Sequence, residues 1–232
     1  MKIVKLNRRD FLKSSALVTG GLLLSFEAPV TAAVTSSPAQ LGPFLQMTNE
    51  GKIRLGVPVV EMGQGIYTSL AMSVVEELGI GMEDVEHIET VHHPSFKNPL
   101  LSLITNGTFQ IQMTGGSTSL VGWGSHFQKI GATAREMLLL AASKRWNLSN
   151  SDLTAKGGRI IHPITGISVS FAEMAQDASK MDVPVEPQIK SLGDFTVIGQ
   201  SVKRWETRFK TNGTATYGAD VKLSGMLYGT IR

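Results

Sequence analysis

The sequence contains no cysteine. This absence excludes a disulfide framework, a zinc site built on thiolates and any iron–sulfur cluster held by this chain. It is compatible with an oxidising compartment but does not establish one. Two enzyme signatures are also missing: there is no Gly-x-Ser-x-Gly run, and no glycine-rich run continues into the Lys-Ser/Thr of a nucleotide P-loop. Serine hydrolases of that type and nucleoside triphosphatases are therefore disfavoured.

The body of the chain also lacks net charge. Of the formal +3, all lies in residues 1–33, where five basic residues face two acidic ones, and the remainder has 17 basic and 17 acidic residues. Nucleic acids and anionic membranes attract proteins through a surplus of Lys and Arg. No nucleic-acid partner is therefore expected.

Residues 1–33 have the features of an export signal. A charged segment precedes the weakly apolar residues 16–26, which are too few to span a bilayer, and small residues follow at 30–33. The run Asn-Arg-Arg-Asp-Phe-Leu-Lys, with Arg8, Arg9, Phe11 and Leu12, matches the twin-arginine pattern. The alternative is an ordinary secretory leader with two chance arginines. We expect a periplasmic protein, with membrane association through an uncleaved leader left open.

The next hundred residues predict a mixed α+β fold. Two strands, at 44–48 and 52–60, are joined by a turn. Apolar residues at four-residue spacing indicate a helix over 66–78, with Gly79 at its C-terminal cap. The later elements expected here are a strand at 85–91, a loop over 94–114, and a long helix to about Trp146, with Ser117 or Ser119 as its cap.

Weaker patterns follow residue 150. We expect a hairpin of strands 159–161 and 167–170, and a capping box at Ser170–Glu173 that opens a short helix. The proline-containing segment 182–188 predicts a linker before a domain boundary. Strand-like segments are expected at 195–198, 213–221 and 227–231.

Two glycine-containing loops are candidate ligand sites. The first, Glu61–Gly65, places Gln64 between two glycines just before a helix, whose first N–H groups would be free to bind an anion. The second, Met113–Ser119, places three hydroxyl residues after two glycines at another helix start. On spacing alone, a plain glycine turn explains the first loop better, and a simple helix cap explains the second equally well.

The other polar and aromatic residues are weaker candidates for a functional site. His92 and His93 are adjacent, so on a strand they would face opposite sides and could not share a metal. His87 and His126 have no carboxylate at metal-ligand spacing. Glu76 and Glu77 are expected on a solvated helix face. The three tryptophans, at 123, 146 and 205, are expected in cores.

Taken together, these segments resemble a known family. The leader NRRDFLK, then VEMGQGIYTS, then TGGSTS with GATAREML is similar to isoquinoline 1-oxidoreductase β-subunits and molybdopterin-binding aldehyde dehydrogenases, within the xanthine dehydrogenase and aldehyde oxidase superfamily. The downstream run from RWET to GMLY resembles the opening of that family's α/β hammerhead domain. The implied organisation is a twin-arginine signal at 1–33, part of a molybdopterin-binding domain at 34–190 and the start of the hammerhead domain at 191–232.

The resemblance implies a cofactor and roles for both loops. Family members bind a molybdenum–pterin cytosine dinucleotide and hydroxylate an N-heterocycle or an aldehyde with oxygen from water. Gln64 would hydrogen-bond an oxygen ligand of the metal without ligating the metal itself, and Gly63 and Gly65 would give it room. The second loop would hold the pterin or its phosphates through Gly115, Gly116, Ser117, Thr118 and Ser119.

The sequence departs from the family pattern at the segments that carry the catalytic residues. The family's catalytic glutamate and a glycine–phenylalanine loop lie in later segments, so we expect no catalytic residue in this chain, and no activity from it alone. Glu206 and Arg208 replace the Asp and Pro that are usual in the family, at positions not expected to touch the metal. The chain would be a fragment, a shortened frame or half of a split subunit.

The partners expected from the resemblance are the remainder of the large subunit, a small iron–sulfur subunit and, as a candidate electron acceptor, a cytochrome c. Two alternatives stay open. One is a non-catalytic periplasmic remnant or cofactor-binding protein with the same partial fold. The other, less favoured, is a small-ligand binding protein.

Overall fold

The structure is a computed structural model that describes residues 23–24, 44–48, 50–93 and 96–231. Within these ranges the chain forms seven short strands and five α-helices. The strands are β1 (Leu23–Leu24), β2 (Leu45–Met47), β3 (Ile53–Val57), β4 (Val85–Thr90), β5 (Thr154–Lys156), β6 (Arg159–Ile161) and β7 (Ser168–Ser170). The helices are α1 (Ile66–Leu78), α2 (Pro99–Ile104), α3 (Thr118–Trp146), α4 (Phe171–Ala178) and α5 (Thr207–Thr211). The α+β fold class is confirmed.

The first sheet has the strand order β1-β2-β3-β4. Strands β2 and β3 are antiparallel, which confirms the predicted hairpin, although Asn49 of its turn lies outside the described residues. Strands β3 and β4 are parallel, and α1 connects them in a βαβ unit. Strand β1 pairs Leu23 with Gln46 and Leu24 with Leu45, so two residues of the expected leader extend this sheet. The twin-arginine residues lie outside the described residues.

Helix α1 occupies the range predicted for it, 66–78, and Gly79 ends it in the left-handed conformation (φ 71°). Leu70, Val74 and Leu78 are fully buried on one face of it. The central contact of that face is with α3, where Gly131 permits a close approach. A β-carbon at Gly131 would lie 2.7 Å from the carbonyl oxygen of Val74. Helix α3 also carries Trp123 and Phe127, which pack with Phe44 in an aromatic cluster.

The second sheet has the order β5-β6-β7, with both pairings antiparallel. Its β6–β7 hairpin was predicted, whereas the short β5 was not. The capping box at the start of α4 is confirmed. The Ser170 hydroxyl accepts the N–H of Glu173 at 3.2 Å, and the Glu173 carboxylate accepts the N–H of Ser170 at 3.1 Å.

The prediction of a solvated face at Glu76 and Glu77 is wrong, since both residues are fully buried. One carboxylate oxygen of Glu76 accepts the N–H groups of Thr196, Val197 and Ile198 at 2.9, 2.6 and 2.9 Å. Glu77 forms an ion pair with Arg135 of α3 at 2.6 Å. The two adjacent glutamates therefore hold a later chain segment and a neighbouring helix.

Four other segments differ from what the local patterns predicted. The expected loop at 94–114 contains α2, which Pro99 opens as the first residue and the Asn98 side chain caps. The segment 195–198 is irregular because its N–H groups bind Glu76 rather than a strand. Segments 213–221 and 227–231 form no strand, since no described residue supplies a ladder partner, and Leu227 and Ile231 are almost fully exposed. Trp123 is in the core as predicted, and Trp146 and Trp205 pack half-buried against it.

Within the described ranges, no helix combines the length and the apolar character needed to cross a bilayer.

Candidate functional site at two adjoining loops

The two candidate loops meet at one edge of the first sheet. The glutamine loop (residues 61–65) follows β3, and the serine loop (residues 113–119) leads into α3. The N–H of Val60 donates to the hydroxyl of Thr114 at 2.8 Å, which joins the two segments directly. This edge carries the carboxyl ends of the parallel strands β3 and β4, where α/β sheets commonly bind ligands.

Gln112 closes the junction between the loops and the sheet. Its amide nitrogen donates to the carbonyl of Pro58 at 3.0 Å and to the carbonyl of Val91 at 2.7 Å. Its amide oxygen accepts the N–H of His93 at 3.2 Å. Because one side chain bridges the chain segments that follow both strands, the loops are attached to a fixed support.

Gln64 is exposed, and its amide is folded back on its own loop. The amide oxygen accepts the N–H of Met62 at 2.7 Å, and the amide nitrogen donates to the carbonyl of Val60 at 2.8 Å. A primary amide has two N–H donors and two acceptor lone pairs. With respect to the residues that the structure describes, Gln64 therefore retains one donor and one acceptor for a ligand.

Glu61 changes the expected role of the helix start. One of its carboxylate oxygens accepts the N–H groups of Gly63 and Gly65 at 2.7 and 3.0 Å, and the other accepts the N–H of Tyr67 at 3.2 Å. At this helix start, the N–H groups of Gly65 and Tyr67 are therefore not free for an external anion, and for these two the prediction is wrong. The carboxylate of Glu61, the first residue of the loop, takes the place of an external anion.

The pKa of Glu61 follows from this environment. Burial opposes its ionisation, but the N–H groups of Gly65, Tyr67 and Gly63, together with the charge of Lys210, outweigh burial and hold the pKa below its ordinary value of 4.5. The group thus binds a proton less readily in the folded protein than in the unfolded chain. Its stabilising contribution is complete above the unfolded pKa and is lost as the pH falls through the folded pKa.

Acidification should therefore destabilise the wild-type protein more than it destabilises the Glu61→Gln variant. We expect the urea midpoint of the wild type to fall as the pH drops below 4.5 towards the lower folded pKa, and the curve of the variant to be shallower over that range. Equilibrium unfolding at a series of pH values measures both. Parallel curves for the two proteins would contradict the assigned hydrogen bonds.

The serine loop is built differently. Gly116 and Ser117 both adopt the left-handed conformation, with φ of 59° and 54°, and both are exposed. Ser117 occupies the N-cap position of α3 without a capping hydrogen bond from its side chain, and Ser119 lies within the helix. The prediction of a serine cap is therefore wrong, because a left-handed residue does not present its hydroxyl to the first turn.

The hydroxyls of this loop differ in whether they have a hydrogen-bond partner within the protein. The buried Thr118 hydroxyl donates to the carbonyl of Gly115 at 2.9 Å and accepts from the amide of the buried Asn98 at 2.8 Å. The hydroxyls of Ser117 and Ser119 have no partner in the part of the chain that the structure describes. Thr118 therefore fixes the shape of the loop, and the two serines remain available to a ligand.

Arg204 is a part of the site that the sequence did not indicate. Its guanidinium donates to the carbonyl of Gly63 at 2.6 Å, and a β-carbon at Gly65 would lie 3.5 Å from the guanidinium. The neighbouring N–H of Trp205 donates to the Thr68 hydroxyl at 3.0 Å. The only available signal was the Arg-Trp-Glu-Thr run, and nothing in it shows that this run returns to a loop about 140 residues earlier in the chain.

Among residues 23–24, 44–48, 50–93 and 96–231, no group of three or more His, Asp or Glu side chains could hold a metal ion. The remaining amide capacity of Gln64 and the open hydroxyls and glycine backbone of the serine loop fit the polar groups of the pterin cofactor that the resemblance implies.

Comparison with known proteins identifies the family. The model of the molybdopterin cofactor-binding domain matches residues 19–223. The chain is 26% identical to the beta subunit of isoquinoline 1-oxidoreductase from Brevundimonas diminuta, over 98% of this chain and 33% of the relative. It is 28% identical to a nicotinate dehydrogenase polypeptide of Pseudomonas putida, over 88% of this chain and 16% of that relative.

A third relative is the membrane-bound aldehyde dehydrogenase [pyrroloquinoline-quinone] of Gluconacetobacter polyoxogenes, 26% identical over 97% of this chain and 29% of that protein. The chain thus spans a third or less of the length of these relatives. Because the family model covers most of the sequence, this chain belongs to the molybdopterin cofactor-binding domain family, within the xanthine dehydrogenase and aldehyde oxidase superfamily.

Proposed function

We propose that this chain is the N-terminal part of the large subunit of a molybdenum hydroxylase that acts on an N-heterocycle or an aldehyde. The observation that carries the proposal is the junction of the glutamine and serine loops through Val60 and Thr114, at the carboxyl edge of the sheet. Family membership and the names of the relatives support the reaction class.

The two loops would hold different parts of a molybdenum–pterin cytosine dinucleotide. Gln64 would use its remaining N–H and lone pair on an oxygen ligand of the metal. Gly115, Gly116, Ser117 and Ser119 would bind the pterin or its phosphates through backbone N–H groups and hydroxyls, while Thr118 keeps the loop in shape. The bound cofactor would supply the redox chemistry, in which a substrate C–H gains an oxygen from water and releases two electrons and two protons.

The residues of this chain would position the cofactor rather than transfer protons. No catalytic base is proposed within it, and the chain alone is expected to be inactive. Glu61 is committed to three N–H groups, which leaves it poorly suited to accept a proton from substrate.

The surface beside the loops supports a covering partner. Six apolar side chains, in or next to the glutamine loop and in residues 103–111 that precede the serine loop in the chain, are between 49% and 74% exposed: Val60, Met62, Leu103, Ile104, Phe109 and Ile111. Exposed apolar surface beside a polar site is typical of an interface. The proposed partner is the remainder of the large subunit. A small iron–sulfur subunit would accept the electrons, because this chain has no cysteine to hold a cluster, and a cytochrome c is a candidate for the next acceptor.

Isotope transfer tests the reaction class. The chain should be co-purified from its native locus with its partners and given N-heterocycles and aldehydes, an electron-accepting dye and ¹⁸O-labelled water. The expected product carries ¹⁸O at the oxidised carbon. A complex that retains cofactor but never transfers ¹⁸O would favour the non-catalytic cofactor-binding alternative and contradict the proposed hydroxylase.

Export by the twin-arginine pathway is proposed from the leader sequence. Replacing both arginines, Arg8→Lys with Arg9→Lys, is expected to keep the protein in the cytoplasm, because that pathway reads the arginine pair while a general secretory leader needs only positive charge. Fractionation with immunodetection measures the periplasmic share. The matched control is Lys2→Arg with Lys5→Arg, which should export normally. Unimpaired export of the arginine-pair variant would refute the assignment.

A further inference from the structure

Glu61 binds the backbone on both sides of Gln64. The N–H groups of Gly63 and Gly65, the two neighbours of Gln64, donate to the same carboxylate oxygen, and the N–H of Tyr67 donates to the other. Gly63 and Gly65 both have positive φ, 109° and 85°, which glycine adopts readily but does not by itself retain. An external constraint is therefore needed to fix the loop in one shape.

The same loop is also held by Arg204, which donates to the carbonyl of Gly63 at 2.6 Å. Gly63 is thus fixed at its N–H by Glu61 and at its carbonyl by Arg204. The Gln64 side chain then completes the loop by bonding to Val60 and Met62. Gln64 thus lies between two glycines whose N–H groups are both bonded to the Glu61 carboxylate.

We propose that Glu61 is a positioning residue for Gln64: its carboxylate sets the backbone of the glutamine loop and thereby the orientation of the Gln64 amide towards the cofactor. This inference rests on the proposed function for its link to the cofactor, but the positioning itself is a property of the cofactor-free chain. The role requires a carboxylate, because both oxygens accept hydrogen bonds. A glutamine at position 61 would place a donor N–H₂ group, instead of an acceptor oxygen, against some of these backbone N–H groups.

The proposal also separates the roles of the two loops. The positive end of the α1 dipole is already neutralised by a charge from within the chain. The glutamine loop therefore orients an amide. The anionic groups of the cofactor are left to the serine loop, where the hydroxyls of Ser117 and Ser119 have no partner among the described residues.

The first experiment uses the full chain without cofactor. Amide hydrogen exchange and side-chain amide signals, measured by nitrogen-15 NMR, are compared for the wild type, Glu61→Gln and a control, Glu83→Gln, at an exposed position. Glu61→Gln should speed exchange at Gly63, Gly65 and Tyr67 by about ten-fold, the change expected for the loss of one hydrogen bond. The Gln64 side-chain signals should also shift towards those of a free amide. Unchanged Gln64 signals would overturn the proposal.

Glu61→Asp distinguishes a positioning role from a general disturbance of the fold. It keeps the carboxylate and shortens the side chain by one methylene group. It should show intermediate exchange and recover part of the wild-type Gln64 signal, whereas a merely structural disturbance would leave it as altered as Glu61→Gln.

The second experiment uses the complex co-purified with its partners. Glu61→Gln should retain its molybdenum but change the Mo(V) electron paramagnetic resonance spectrum in the same direction as Gln64→Ala. A wild-type spectrum in Glu61→Gln would overturn the link to the metal. A wild-type complex without molybdenum would instead refute the proposed function, and the NMR comparison would still decide whether Glu61 positions Gln64.

Discussion

Glu76→Ala is expected to lower the free energy of unfolding by about 3 kcal/mol, because it removes a buried carboxylate and leaves its partners unpaired. The lost acceptor serves three consecutive N–H groups at 196–198, and the ammonium group of Lys190 lies 3.5 Å from the carboxylate. Without it, residues 196–198 lose these three hydrogen bonds to α1. Urea unfolding followed by circular dichroism measures the change.

The matched control for Glu76 is Glu89→Gln on β4, where the carboxylate is half-exposed and its only ion pair among the described residues is a 3.5 Å contact with His87. Its effect should stay within about 0.5 kcal/mol, as is usual for surface substitutions. If Glu76→Ala proved as mild as this control, the assignment of Glu76 as the anchor of residues 196–198 would be wrong.

Gly131→Ala should destabilise the protein by about 2 kcal/mol, although alanine favours helix over glycine by roughly 1 kcal/mol. The added methyl group would lie 2.7 Å from the carbonyl oxygen of Val74 and 2.8 Å from the β-carbon of Glu77. Both are parts of α1 that cannot move alone, so α1 and α3 must separate. Thermal and urea unfolding of the variant measure the cost.

Gly124→Ala, in the same helix, is the control for Gly131. Its nearest neighbour would be the Cδ1 of Leu120 at 3.3 Å, at the end of a flexible side chain. The helix-propensity gain should therefore prevail, with a stabilisation of up to about 1 kcal/mol. Effects of the same sign at both glycines would contradict the close packing of α1 against α3.

Local sequence patterns were sufficient to predict those elements whose stabilising contacts join residues a few positions apart. The spacing of apolar residues in α1, the glycine after it and the Ser170–Glu173 capping box each predicted an element that the structure confirms. In such elements the hydrogen bonds join residues close in sequence, so the sequence carries the information directly.

Long-range partners account for most of the failures. Glu76 and Glu77 have the pattern of an exposed pair, and only the fold brings Arg135, Lys190 and residues 196–198 to them. For the site, the sequence indicated both loops but not their contact through Thr114, nor Arg204. Glu61 is a different case, because its partners are close in sequence. Glycines before a helix are typical of a site for an external anion, and the pattern does not show that the carboxylate of Glu61 takes this place.

The molybdenum and pterin content of the protein, purified from its native locus with co-purifying partners, decides whether the two loops hold the proposed cofactor. Metal analysis by mass spectrometry and nucleotide release by acid hydrolysis give both quantities. We expect molybdenum and pterin in equal amounts, with cytidine monophosphate released. A folded chain that carries neither molybdenum nor pterin, with or without partners, would refute the proposed function and leave the two loops without their ligand.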